Sequence, residues 1–278
     1  MNCSKRIRLS LIFTTVLLTV GVLCGAERDA AAPAPVVMLK LDDLVRHGKQ
    51  PTATVSPRWQ RTTDFLEGEK IKASYGLLVD SLEGECPAYI AWLKQRIAAG
   101  WIEIWDHGYY AGFPADLKVN GRTGENVGAP AAEQAALFKK SLALTKEKTG
   151  INMIAFGPHT TAVDGATYDA LEGIPEIRMV WFYGPPKGAR TSKVVIQRLM
   201  ELEKPLFVPN PDQLKENFEK KRATLPYVAI QGHPNQWDDA RFENFKKAVL
   251  YLRDQGCRFV TPSEYLASQA HSQPSQPR

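Results

Sequence analysis

The amino-acid sequence predicts an α/β fold in which parallel strands alternate with crossover helices. Two observations carry this. Short apolar runs alternate with amphipathic stretches along the chain, and the residues best suited to chemistry fall where those runs end. About 250 residues remain once the first 26 are set aside, a length that fits one α/β barrel as well as two small domains.

The strands are expected at Val36–Leu41, Lys72–Val79, Ile102–Trp105, Met153–Phe156, Arg178–Phe182, Leu206–Val208, Tyr227–Gln231 and Arg258–Val260. The clearest helix lies late in the chain, where Phe242, Phe245, Val249 and Leu252 recur at three- and four-residue spacing, with Lys246, Lys247 and Arg253 off the stripe. Asp238 and Asp239 stand near its start and Gly256 at its end, as capping and dipole arguments expect. Tyr89, Leu93 and Ile97 form a second stripe closed by Gly100, and Ala131 to Lys148 is an Ala/Lys/Leu-rich helix ending at Gly150. The segment from Tyr110 to Pro130 is a long Gly-, Asn- and charge-rich loop, the kind that often serves function.

The ends read differently. Lys5, Arg6 and Arg8 precede the apolar run Leu9–Val22, and small residues at Cys24-Gly25-Ala26 suit a signal peptidase. Residues 1–26 are therefore expected to be a cleaved export signal, which leaves no stable membrane span. Residues 27–35 form an Ala/Pro tether, residues 36–267 the folded domain, and residues 268–278 a Ser/Gln/Pro-rich disordered tail. Loss of the leader removes three basic residues and no acidic ones, so the formal charge drops from +5 to +2. That near-neutral balance gives no reason to expect nucleic acid, and P-loop and dinucleotide signatures are absent at suitable positions. Cys86 and Cys257 remain, as a disulfide in an oxidising compartment or as two buried thiols.

Four predicted strands run into residues that suit a metal hydrolase. The first ends in Lys40-Leu41-Asp42-Asp43, the third in Trp105-Asp106-His107-Gly108-Tyr109. The fourth runs into Phe156-Gly157-Pro158-His159, and the seventh into Gln231-Gly232-His233-Pro234. Three of the five histidines thus sit at strand carboxyl ends among Gly, Pro and Asp. Adjacent carboxylates can divide the work, one ligating a metal while its neighbour accepts a proton from water.

In this order the motifs resemble the polysaccharide deacetylases of the NodB-homology superfamily, related to carbohydrate esterase family four. The resemblance spans Val36 to Leu266 and includes a close, Arg258-Phe259-Val260-Thr261-Pro262-Ser263-Glu264-Tyr265-Leu266, like the family's last strand and helix start. It implies a deformed parallel (β/α) barrel, a divalent metal, usually zinc, and removal of acetyl groups from an acetylated poly- or oligosaccharide outside the cytoplasm. Carried over by position, Asp42 is the general base, Asp43 and His107 are metal ligands, and His233 is the general acid. Backbone N–H groups near Thr160 are expected to stabilise the oxyanion.

Two positions depart from the family. Its second motif-two histidine falls at Ala111, and its motif-three arginine, the charge beside the catalytic Asp, corresponds to Gly157. Catalytic zinc normally has three protein ligands. His159 is the expected third, with Asp106, Asp80 and His47 as poorer candidates. Glu103 is expected to point away from the site and help close the barrel. Among the aromatics, Trp105 and Trp181 read as core, whereas Tyr109, Tyr110 and Trp237 lie in Gly- or Asp-rich loops and are expected to stack on sugar. Two alternatives share the fold: a non-catalytic glycan-binding protein, and a hydrolase of another C–N amide or ester bond.

Overall fold

The computed structural model describes residues 34–118, 122, 124–159 and 162–272. The leader assigned to residues 1–26, most of the tether and Thr160 lie outside the described residues.

The strands are β1 Val36–Leu44, β2 Ala73–Leu77, β3 Ile102–Asp106, β4 Ala155–Phe156, β5 Met179–Trp181, β6 Val194–Ile196, β7 Val228–Gly232 and β8 Arg258–Phe259. The helices are α1 Pro57–Gly68, α2 Pro87–Ala98, α3 Ala131–Thr149, α4 Gly165–Glu172, α5 Pro211–Lys221, α6 Asp239–Asp254 and α7 Pro262–Ser272. All strand pairings are parallel, in the order β6-β5-β4-β3-β2-β1-β7, with β8 also on β1. This is a deformed (β/α) barrel. Among the described residues no ladder joins β6 to β7; there the Gln197 amide donates to the Tyr227 hydroxyl at 2.7 Å instead.

Helix boundaries follow local chemistry. Ser56, Asp164, Asn210 and Asp238 cap α1, α4, α5 and α6 by accepting from backbone amides. Gly150 ends α3 in the left-handed region, at φ 79°.

The period-2 alternation of strands sorts the side chains. On β1, Val37, Leu39 and Leu41 face the helices, while Met38 joins an inner layer with Trp105, Met179, Trp181 and Ala229. The same parity places Lys40 and Asp42 on the inner face of β1, Trp105 and His107 in line on β3, and Gln231 and His233 beyond Ala229 on β7. Each fully buried large apolar side chain here contributes about 1.5–3 kcal/mol, so the inner column fills the barrel below and carries polar groups only toward its mouth. Glu103, at the amino end of β3, accepts from the Ser263 amide and hydroxyl on α7 and so closes the barrel far from that mouth.

The structure corrects two expectations of fold and decides between the two open for the cysteines. Leu206–Val208 is not a strand: Pro205 and Pro209 bracket it, and proline cannot supply ladder donors. It is an exposed turn with an isolated Glu203–Pro209 bridge, and Leu206 is 58% exposed. The sixth strand is Val194–Ile196. Ser268–Ser272, assigned to a disordered tail, continue α7. Cys86 and Cys257 are both buried free thiols. No helix among the described residues is long and apolar enough to cross a membrane.

Candidate functional site

The carboxyl end of β1 sets the site. Its register against β2 shifts between Leu41 and Leu44, so the two aspartates occupy a bulge. Asp43 adopts φ 66°, a left-handed conformation that Asp tolerates better than most residues. By strict alternation it would face away from Asp42's side; bulge and turn together re-aim it. The Asp43 carbonyl is pinned by the Trp59 indole N–H and the Asn235 amide, each at 3.2 Å.

Around Asp43 Oδ1 stand two imidazoles. His107 Nε2 lies 3.2 Å away and His159 Nε2 3.7 Å away, and the two rings meet edge to face at 5.2 Å. Their other nitrogens fix the tautomers. His107 Nδ1 contacts the Gly157 carbonyl at 2.8 Å and His159 Nδ1 the Tyr110 carbonyl at 3.2 Å. A carbonyl only accepts, so both Nδ1 atoms donate, and both rings turn Nε2 toward Asp43. Burial opposes ionisation of Asp43, but the His107 hydrogen bond and the nearby histidines outweigh it and hold its pKa at about 2. Burial, followed by the proximity of His107, lowers that of His159.

Two imidazole nitrogens beside one carboxylate are a donor set that zinc and similar divalent cations take. Ligands about 2.1 Å from a tetrahedral ion lie roughly 3.4 Å apart, and the two measured separations bracket that value. Among the described residues no group of three His, Cys, Asp or Glu side chains is arranged so that it could hold a metal ion. The convergence is pairwise, through Asp43.

The second half of the site faces Asp42, which is 1% exposed. Lys40 Nζ donates to both its oxygens at 2.5 and 2.6 Å, and Gln231 Nε2 donates to Oδ2 at 2.7 Å. His107 Nε2 and His233 Nε2 lie 3.5 and 3.8 Å from the same Oδ2. His233 is held in turn by Glu203, which accepts from its Nδ1 at 2.6 Å and its backbone amide at 2.9 Å. Glu203 also accepts from the Trp237 indole at 2.7 Å and the Phe207 amide at 3.0 Å. Burial works to lower the His233 pKa, but the Glu203 and Asp42 carboxylates more than offset it and raise it above the ordinary imidazole value.

Asp42, Asp43, His107, His159 and His233 therefore meet at one barrel mouth. The aromatic expectations fare less well. Trp237 is fully buried, its indole stacked on Phe245 at 4.5 Å, because a short turn at Pro234–Gln236 folds it back beneath β7. Tyr109 is also buried, its hydroxyl on Glu83 and its ring under the Lys140 ammonium. Trp237 supports Glu203 from within, and neither ring presents a face to solvent. Tyr110 is half-buried and contributes its carbonyl to His159. The poorer ligand candidates serve elsewhere. Asp80 accepts from the Ala111 amide, Asp106 is turned to the Gly108 amide with burial pushing its pKa to about 7, and His47 is exposed.

Sequence reasoning missed Lys40, Gln231 and Glu203. For the first two the signal was available: each lies two residues before a chosen site residue, hence on the same strand face. Glu203 comes from the irregular segment between β6 and α5, where nothing periodic marks it.

No family model matches this sequence, and no curated protein matches it significantly. Solved structures do share the fold. A family 4 acetyl xylan esterase from Clostridium thermocellum, described in complex with a cobalt ion, superposes with TM-score 0.56 at 14% identity, over 84% of this chain and 92% of that one. The Xyl-CE4 domain of a multidomain xylanase, from the hindgut metagenome of Trinervitermes trinervoides, gives 0.54 at 14% identity over 85% and 92%. A CE4 family pseudoenzyme from Bacillus anthracis gives 0.53 at 14% identity over 84% and 69%. The chain has the polysaccharide-deacetylase fold.

Proposed function

We propose that this protein is a metal-dependent hydrolase that removes acetyl groups from a glycan outside the cytoplasm. The observation that supports it is the meeting of a carboxylate with two imidazole nitrogens beside a second, separately held carboxylate–histidine pair. Asp43, His107 and His159 would hold the divalent cation, zinc being the best match to one oxygen and two nitrogen donors. When bound, it would polarise the acetyl carbonyl and make water more acidic.

The chain's own residues perform the proton transfers. Asp42 accepts a proton as the water oxygen bonds to the acetyl carbon. His233, whose Nδ1–H is held by Glu203, gives its Nε2 proton to the leaving nitrogen or oxygen as the bond to the acetyl carbon breaks. Acetate and the free amine or alcohol result. The order of the motifs, the fold and the leader-like first 26 residues all agree with an exported enzyme acting on acetylated sugar.

Acetate release from N-acetylated and O-acetylated oligosaccharides, measured on protein loaded with zinc, tests this. Asp42→Asn and His233→Ala should each reduce the rate by about 10²–10⁴-fold, the usual worth of a positioned acid or base. Zinc-loaded protein that releases no acetate from any such substrate sinks the reading. A glycan-binding role is the second reading, favoured by Ala111 in place of a ligand and by the pseudoenzyme with the same fold. Glycan affinity without hydrolysis would establish it.

A further inference from the structure

Resting on that reading, we infer that Lys40 and Gln231 form a cross-strand clamp that positions Asp42, supplying the charge that the crowded Gly157 loop does not. The two residues are direct partners in the β1–β7 register. Both stand on the inner face two residues before the groups they serve, so the sheet itself delivers them.

The Gly157 position is crowded. A Cβ added there would lie 3.0 Å from the Trp105 ring and 3.1 Å from Trp181 Cβ, tighter than nine in ten real Cβ contacts. A side chain there would press on two fully buried indoles, which would have to yield by a few tenths of an ångström. The same indole that crowds the loop receives the ammonium: Lys40 Nζ sits 4.5 Å from the Trp105 ring centre and 5.3 Å from that of Phe182. Lys40 is 3% exposed, and an ammonium so deeply buried persists only with a paired, hydrogen-bonded counter-ion. Asp42 is that counter-ion, gripped at both oxygens.

Gln231 completes the clamp and links it to the acid. Arg198 donates to its Oε1, which sets the amide so that Nε2 faces Asp42 Oδ2. That nitrogen is also 3.2 Å from His233 Nε2. One amide therefore spaces the proposed base from the proposed acid, and Lys40 fixes the rotamer of the base. Neither residue reaches Asp43, so the clamp is separable from metal binding. Both are positioning residues.

The test measures kcat, KM, zinc content and thermal melting for Lys40→Met, Asp42→Asn, Gln231→Leu and the double variant Lys40→Met/Asp42→Asn. Lys40→Met should lower kcat by about 10²-fold, the scale of a misplaced reacting group, with KM and zinc content unchanged. Stranding Asp42 as a buried unpaired carboxylate should also lower the melting temperature by on the order of 10 °C. The double variant removes that stranded charge and should regain most of the loss. Gln231→Leu should fold normally and lower kcat by about tenfold, the value of one hydrogen bond to a charged group. Unchanged kcat in Lys40→Met beside an active wild type overturns the clamp, as do melting losses that simply add in the double variant. Should Lys40→Met fail to fold, Gln231→Leu decides by its kcat and the double variant by its melting. An inactive wild type would defeat the hydrolase reading instead, and the melting comparison would still decide the clamp.

Discussion

The two halves of the barrel mouth are held in opposite ways. Around Asp42 and His233 nearly every polar atom has a partner from protein: Lys40 and Gln231 on one carboxylate, and four donors on Glu203. Around Asp43 the supporting bonds run backward, from Nδ1 atoms and a main-chain carbonyl into the scaffold. The forward-facing atoms, two Nε2 and a carboxylate oxygen, meet one another. A proton-transfer pair benefits from being fixed in advance. A cation site must leave lone pairs facing a common space, and it reaches its final geometry when the ion arrives.

If that contrast is right, breaking the second half should empty the site without unfolding the chain. His107→Ala should lower zinc affinity by 10²-fold or more, and His159→Ala should do the same, because second-sphere changes alone cost about 10–100-fold. Circular dichroism and melting should stay close to wild type, since these rings add little apolar packing. Zinc retained in His159→Ala, together with weakened oligosaccharide binding, would reassign His159 from ligand to substrate contact.

Breaking the first half should have the reverse signature. Glu203→Gln keeps the shape but removes the charge that raises the His233 pKa. Zinc content should hold, while the rate falls by about 10–100-fold. The sign of the pH effect follows directly. A raised pKa keeps His233 protonated to higher pH, so activity persists until pH climbs through that value. Without the carboxylate, the alkaline limb of kcat/KM should move to lower pH. The ion pair's contribution to stability has the same direction: it is complete below the ordinary imidazole pKa and is lost as pH rises through the raised one. An alkaline limb that stays in place would mean His233 is not the acid.

How much of this was legible in sequence depends on how local its cause is. The strand ends carrying Asp42, His107 and His233 announce themselves, because a run of apolar residues stopping at Asp, His and Gly is a short-range pattern. His159 follows from its place after Phe156-Gly157-Pro158. Trp237 and Tyr109 misled for the opposite reason: Gly- and Asp-rich surroundings mark loops, but whether a loop folds its ring inward depends on partners far away, Glu203 and Phe245 in one case and Glu83 and Lys140 in the other. Leu206–Val208 read as a strand because its apolar content outweighed the flanking prolines. The left-handed turn at Asp43 was invisible, since nothing in Asp-Asp distinguishes a bulge from a regular strand end.

The smallest expected effect sharpens the comparison most. In the family the sequence resembles, a histidine stands at the position of Ala111, and here that place is an exposed alanine whose amide is tied to Asp80. Ala111→His offers the site a fourth protein donor without removing one. If His159 already completes a set with Asp43 and His107, the newcomer finds its place taken. A fourth protein ligand would also tend to close the open position that a catalytic zinc keeps for water. Zinc affinity should then change by less than about tenfold, or 1.4 kcal/mol, and the rate should stay level or decline. If instead His159 does not ligate, the added imidazole should tighten zinc by about 10²-fold or more, comparable to losing a native ligand's support, and raise acetate release with it. Combining Ala111→His with His159→Ala separates the cases: affinity restored toward wild type in the pair would show that one ring can stand in for the other, and that this chain moved a ligand from one loop to its neighbour.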